Sequence, residues 1–172
     1  RATPASMRSG WASACAMGAA LPNLQHTIAI DSRTIRESGG TIVQELAFAL
    51  SATVFILRSL EERGVSPQQV CKRFELVSAV GSEVFWEIAK WRALRVLWAN
   101  LWSPLGCGTM PVTTGVSARW NRTRDDPHTN LLRTTASVMS CVIAGVDRVE
   151  LFPFLLRADT EESFARHLVP RM

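Results

Sequence analysis

Five arginines are the side chains of this sequence best suited to chemistry. Arg33 and Arg36 lie in the polar stretch 31–40, and Arg119, Arg122 and Arg124 lie in 117–126. Guanidinium forks grip phosphate and carboxylate groups through paired hydrogen bonds, so two such stretches meeting at one rim would suit an anionic ligand such as a phosphorylated coenzyme. Asp31, Glu37, Asp125 and Asp126 stand among the same arginines. Local neutralisation by these carboxylates is an equally good reading, and the sequence leaves both open. Metal chemistry has less to work with. Cys15, Cys71, Cys107 and Cys141 form no close pair, and His26, His128 and His167 lie far apart, so no metal site is expected. Cys141, among Val138, Met139 and Val142, reads as a small buried hydrophobe, and this cysteine usage fits a reducing cytoplasm.

Whatever positions those arginines must come from one domain. The chain has 172 residues, 47% of them hydrophobic and 20% charged, which allows a single sizeable core. Its net charge of +4 and pI near 9.3 permit phosphate binding without identifying it. No nucleic-acid motif accompanies the basic loop 119–124, so a solvated surface is expected there rather than a nucleic-acid site. The apolar stretches within 46–57 and 84–102 are broken by polar or charged residues, so no membrane span is expected. Residues 1–25 are rich in Ala, Gly and Ser and read as an irregular segment or linker. Met7-Arg8 followed by 11–20 imitates a signal peptide only weakly, because Ser13, Cys15 and Gly18 interrupt the apolar run.

From residue 26 to 172 the chain alternates strand and helix. A strand at 27–30 leads through the polar loop 31–40 into a helix over 41–63, with Ile42, Leu46, Ala49, Thr53, Ile56 and Leu60 on one face. Ser66-Pro67-Gln68-Gln69 has capping-box spacing and predicts one helical turn before a strand at 74–80. A second helix over 83–102 carries Val84, Ile88, Trp91, Trp98 and Trp102 as a stripe suited to core or subunit contact. A strand at 112–116 follows. Asp126 then caps a helix that starts at Pro127 and stops at Gly145, with Leu131, Thr135, Val138 and Val142 on one face. Residues 149–154 read as a short buried strand, and a last helix is expected to about residue 169, capped from Asp159 and facing inward with Phe164, Leu168 and Val169.

Four βα units at this spacing imply an α/β fold with a parallel sheet, and right-handed crossovers would curl it into part of a (β/α)8 barrel. Half a barrel leaves two strand edges and an inner face unpaired, so a partner or the remainder of a barrel is expected. Ligands of such barrels meet the loops at the carboxyl ends of the strands, here 31–40, 79–82, 117–126 and 154–159.

Four stretches in register give this organisation a family. They are Gly39 with Gln44-Glu45-Leu46-Ala47; Arg73; Glu87-Ile88-Ala89-Lys90 with Arg92, Arg95, Leu97 and Trp98; and a long run beginning at Trp120. That run continues through Asn121, Thr123, Asp126-Pro127, 130–134 (NLLRT) and Ala144-Gly145 to Pro153-Phe154. In this order they resemble the methylmalonyl-CoA mutase family over about residues 27–169, matching the later half of its substrate-binding barrel. The resemblance implies an acyl-CoA ligand threaded through the barrel and adenosylcobalamin bound by a separate domain of the holoenzyme. In catalytic chains a Tyr-His pair and, further on, a His and a Gln contact substrate. The resemblance places Arg33, Thr34, Thr114 and Val116 at those positions, and none of them can do the same work. Arg73 matches an arginine that holds a coenzyme A phosphate, although Glu75 stands where catalytic chains have a serine. An Arg73–Glu75 pair at a strand start is an equal reading. Retained caps and stripes with substituted substrate contacts resemble the small, non-catalytic subunit of the heterodimeric mutases, which supports a catalytic subunit. The alternative is a divergent catalytic chain acting on another acyl-CoA.

Overall fold

The computed structural model describes residues 28–153, and within them the expected alternation is present. Strand β1 (Ile28–Asp31) is followed by α1 (Arg33–Glu37), α2 (Ile42–Glu61), α3 (Pro67–Val70) and a 3-10 turn (Cys71–Arg73). Strand β2 (Phe74–Val80) leads to α4 (Val84–Trp102) and a second 3-10 turn (Ser103–Leu105), then β3 (Val112–Ser117), α5 (Pro127–Ala144) and β4 (Arg148–Glu150). All pairings are parallel in the order β1-β2-β3-β4, with Ile30 opposite Leu76, Leu76 opposite Thr113 and Gly115 opposite Val149. This is an α/β fold of four parallel strands alternating with helices, consistent with part of a barrel. The segment 1–25 and the terminal helix expected near 159–169 lie outside the described residues.

Local chemistry sets the boundaries. Thr41 and Gln44 form a reciprocal capping box at the start of α2, Ser66 and Gln69 do the same for α3, and Asp126 accepts from the His128 backbone N–H at the start of α5. Gly145, at φ +68°, ends α5 in the left-handed conformation. The loop expected at 31–40 differs, because it contains α1. The Asp31 carboxylate accepts the Arg33 backbone N–H at 3.0 Å and so supplies the first turn with an acceptor.

The core lies between the sheet and its helices. Ile28, Ile30, Phe74, Leu76 and Val80 meet Ala49, Leu57 and Leu60 of α2 and Trp91, Leu94, Trp98 and Trp102 of α4. Trp102 packs edge-on against Phe74 at 5.4 Å between ring centroids and tilts against Trp98 at 5.3 Å. The tryptophan stripe is therefore core. By length and mean hydropathy, 20 residues at 1.4, α2 would pass for a membrane span, but Ala49, Thr53, Leu57 and Leu60 are buried in this core.

Two apolar expectations are corrected. On α5 the buried positions are Asn130, Thr134, Ser137, Ser140, Cys141 and Ala144, whereas Thr135 and Val142 are exposed. Small and hydroxylated residues let α5 approach the sheet closely, and Ser137 Oγ comes within 3.1 Å of the Val80 carbonyl and 2.9 Å of that of Gly81. The strand expected at 149–154 is three residues long and exposed. Its ladder ends because Phe152 donates its N–H to Ser117 Oγ, while Arg122 takes the carbonyls of Phe152 and Pro153. A side-chain frame thus replaces the next ladder bonds.

Close approach of α5 makes Gly115 sensitive. A Cβ there would lie 2.7 Å from Cys141 Sγ and 3.2 Å from Val80 Cγ2. Gly115→Ala should destabilise the full-length chain by about 1–3 kcal/mol, and Cys141→Ala in the same background should recover part of that loss. Urea midpoints of the two variants check this, and an unchanged midpoint for Gly115→Ala would contradict the packing described.

Candidate functional site at the carboxyl-terminal rim

The carboxyl end of β2 is held by buried charge. Glu45 of α2 accepts from Ser78 Oγ at 2.7 Å, the Ala79 N–H at 3.1 Å and Ser32 Oγ at 3.2 Å through one oxygen, and from Lys90 Nζ at 3.2 Å through the other. Lys90 also donates to the Ala79 carbonyl and lies 2.6 Å from Glu87 Oε2. The Glu87 contact is an ion pair by distance, although its angle is not that of a hydrogen bond. Glu87 Oε1 accepts the Gly81 N–H at 3.1 Å and faces Arg36 Nη2 at 3.9 Å. The side chains of Glu45, Glu87 and Lys90 are at most 1% exposed. Two carboxylates, one ammonium and one guanidinium balance in charge, which is what makes ionic groups tolerable at such depth.

This network shapes the rim above it. The Arg36 guanidinium donates to the Gly40 carbonyl and stacks 4.6 Å from the Trp120 ring centroid. Asn121 reaches Ser82, and Arg133 donates to the Asn121 carbonyl. Loops 31–40, 79–82 and 117–126 are therefore tied to one another, and the fourth loop expected at the rim, 154–159, lies outside the described residues.

Of the expected cationic cluster, Arg33 forms an internal ion pair and Arg36 and Arg122 are held mainly by carbonyls. Arg33 clamps Asp31 with two bonds, Nε to Oδ1 at 2.9 Å and Nη2 to Oδ2 at 2.6 Å. The Arg33 hydrogen bonds lower the Asp31 pKa below its ordinary 3.8 and outweigh the opposing effect of partial burial. Glu37 accepts the backbone N–H of Arg119, whose guanidinium lies 3.9 Å over the Phe152 ring. Arg122 is engaged by the carbonyls of Ala118, Phe152 and Pro153, and burial, followed by the charge of Arg119, lowers its pKa. Local neutralisation accounts for Arg33, and inward-facing structural roles for Arg36 and Arg122. What remains at the surface is an open groove of about 340 Å³ lined by Asp31, Arg33, Thr34, Glu37, Arg119 and Phe152.

The other singled-out residues fall in two further places. Thr34 is exposed in α1, with its hydroxyl 3.5 Å from the Asp31 carbonyl. Thr114 and Val116 lie on the sheet face opposite the helices, paired in register with Val77 and Ala79. Both are 1% exposed, and Thr114 Oγ1 donates to Glu75 Oε1 at 2.6 Å. Glu75 also pairs with Arg148 at 3.3 Å, so this inner face carries its own polar cluster. Arg73 is half-buried in the 3-10 turn at the amino end of β2, about 20 Å from the rim by the strand's seven residues.

Sequence reasoning quoted Glu45, Glu87 and Lys90 only as family motifs and missed what they do. A signal was present. Glu87 and Lys90 share a helical face with Trp91, Leu94 and Trp98, and Glu45 sits one turn before Ala49, so charges interrupt stripes that are otherwise buried. Among the described residues no three His, Cys, Asp or Glu side chains gather as metal ligands would.

Parallel βα units with a rim at the strands' carboxyl ends define an α/β protein consistent with part of a barrel, and sequence comparison makes this specific. The methylmalonyl-CoA mutase family model matches residues 3–165, and the chain belongs to that family. The methylmalonyl-CoA mutase small subunit of Porphyromonas gingivalis is 33% identical over 144 residues, covering 81% of this chain and 23% of that protein. The small subunit of Streptomyces virginiae is 30% identical over 88% of this chain and 25% of its own length. The methylmalonyl-CoA mutase of Rhizobium meliloti is 31% identical over 75% of this chain and 19% of its own. The chain thus spans about a quarter of the length of the curated relatives it matches.

The Arg33–Asp31 clamp yields a pH prediction. A carboxyl whose pKa is lowered in the folded state stabilises the fold above its unfolded value, and that contribution is lost as pH falls through the folded value. Arg33→Gln should raise the Asp31 pKa toward 3.8 and cost under about 1 kcal/mol at pH 7, because the pair is partly exposed. The stability difference should vanish once the pH is well below 3.8. NMR titration of the Asp31 carboxyl checks this, and an unshifted midpoint in the variant would contradict the clamp.

Proposed function

We propose that this chain is a small-subunit type segment of an adenosylcobalamin-dependent methylmalonyl-CoA mutase, forming one wall of the acyl-CoA barrel and supporting a catalytic subunit. One observation carries the reading. At the positions that the resemblance aligns with substrate contacts, Arg33 is bound to Asp31, Thr114 is bound to Glu75 and Val116 is buried, while Thr34 is exposed with its hydroxyl 3.5 Å from the Asp31 carbonyl. Small-subunit relatives at about 30% identity over most of the chain support the same reading. Arg73 is the residue proposed to meet a phosphate of coenzyme A, at the end of β2 opposite the rim. An extended acyl-CoA would then run along the inner face past Glu75 and Arg148.

Adenosylcobalamin supplies the radical chemistry of the carbon-skeleton rearrangement between methylmalonyl-CoA and succinyl-CoA. The described residues do not fit a role in holding it. Their cysteines are buried, no ligand cluster gathers, and the described histidine, His128, stands in the capped first turn of α5. In this reading the cofactor is held elsewhere in a cytoplasmic holoenzyme, and this wall orders the barrel against its partner.

Turnover of methylmalonyl-CoA with adenosylcobalamin, by the full-length parent chain alone and mixed with a catalytic subunit, tests the proposal. Activity only in the mixture, with a stable complex by size, is the expected result. Turnover by the parent alone would overturn the supporting role and favour a divergent catalytic chain using the Arg33 groove.

A further inference from the structure

The outward face of the helix layer is mostly apolar where a solvated surface would carry charge. On α4 the spacing of Phe85, Ala89, Arg92 and Val96 sets them on one face, opposite the buried Glu87, Trp91, Leu94 and Trp98. On α5 Leu132, Thr135, Met139 and Val142, with Ile143, lie opposite the buried Asn130, Thr134, Ser137 and Cys141. Residues 134–146 contain no charged side chain. The large apolar residues of this face are open to solvent, from 49% for Met139 to 87% for Phe85. The two helices lie side by side, since Arg95 Nη2 donates to the Gly145 carbonyl at 2.6 Å.

Closing a barrel would not cover this face. Further strands can join only at the free edges of β1 and β4, and their helices would enter the layer beside α2 or α5. Between those two stands α4, because Leu50 and Val54 of α2 share a groove with its Leu97 and Leu101, and α5 is held to its other side. Cover for its outward face must come from outside the barrel. The size of the face is informative. Phe85, Val96, Leu132, Met139, Val142 and Ile143, with the smaller residues between them, expose on the order of 800 Å², about what each partner of a standard dimer buries. An apolar patch of this extent marks an interface.

We propose that the outward face of α4 and α5 pairs two copies of this chain about a twofold axis. A second copy is the occupant that the charges favour. The chain carries a net charge of +4, so self-association is opposed wherever like charges meet, and this face brings one charged member, Arg92, to a surface that is otherwise neutral. Interface centres are depleted of charge and enriched in methionine and aromatic residues, as Met139 and Phe85 are placed here. A twofold contact uses the same patch on both sides, so a single apolar face is enough. The axis would pass near Met139, in the middle of the α5 stripe, with Phe85 and Val96 of each α4 at the margin. This pairing goes beyond support of a catalytic subunit, which would meet other surfaces of the chain.

Sedimentation equilibrium of the full-length parent chain tests this without catalytic subunit or cofactor, so its outcome is separate from that of the turnover experiment. The wild-type chain should be a dimer. Met139→Lys and Ile143→Lys, both at exposed positions, should each raise the dimer dissociation constant at least about 30-fold with an unchanged far-UV circular dichroism spectrum. Val43→Lys, at an exposed apolar residue of α2 away from this face, should leave the constant unchanged. Should one lysine variant fail to fold, the other carries the comparison. A wild-type chain that stays monomeric up to about 100 μM, or a dimer that tolerates the lysines, would overturn the proposal. Variants that remain dimeric but no longer bind a catalytic subunit would overturn it too, and would assign the face to that partner.

Discussion

The structure depends on one interaction more than any other, the buried pairing of Lys90 with Glu45 and Glu87. These three side chains come from two helices, and they hold the end of β2 and the residue that follows it by their backbones, at Ala79 and Gly81. Removing a charge from such a group leaves another in a low-dielectric interior with no counter-ion, which costs several kcal/mol. Apolar packing alone would press α2 and α4 onto the sheet without fixing how the strand ends lie. The ionic group, with Ser32 and Ser78 as further donors to Glu45, gives the rim one geometry.

From that anchor the rim assembles outward by polar contacts. Arg36 spans Glu87, Gly40 and Trp120, and Arg122 gathers the end of β3 and the chain beyond β4. A rim built this way has Arg33, Arg36 and Arg122 occupied. On the opposite sheet face, Glu75, Thr114 and Arg148 satisfy one another. A catalytic barrel presents unsatisfied polar groups to its substrate, because differential binding needs partners that are free to engage it. In this wall Arg33 is bound to Asp31 and Thr114 to Glu75.

Much of this was legible in the sequence. Asp126-Pro127 and Gly145 mark the ends of α5, the capping box marks α3, and β2 has the expected limits, because caps, proline and left-handed glycine act within a few residues. The buried face of α5 was not legible from hydrophobicity. Thr134 and Ser137 face the sheet because close approach needs small residues whose hydroxyls can meet carbonyls, while Leu132 and Val142 face outward. The Glu45–Lys90–Glu87 group depends on a tertiary meeting of α2 with α4, which periodicity along a single helix does not carry.

A double-mutant cycle at Glu45 and Lys90 tests most directly whether buried charge is the constraint on which the rim depends. Glu45→Gln, Lys90→Met and the double variant of the full-length chain would be compared by urea denaturation. Each single change should cost about 3–5 kcal/mol, and the double variant should lose less than their sum by about 1–3 kcal/mol, because the second removal relieves the charge stranded by the first. Additivity within about 0.5 kcal/mol would show that the two charges act independently and would contradict the account.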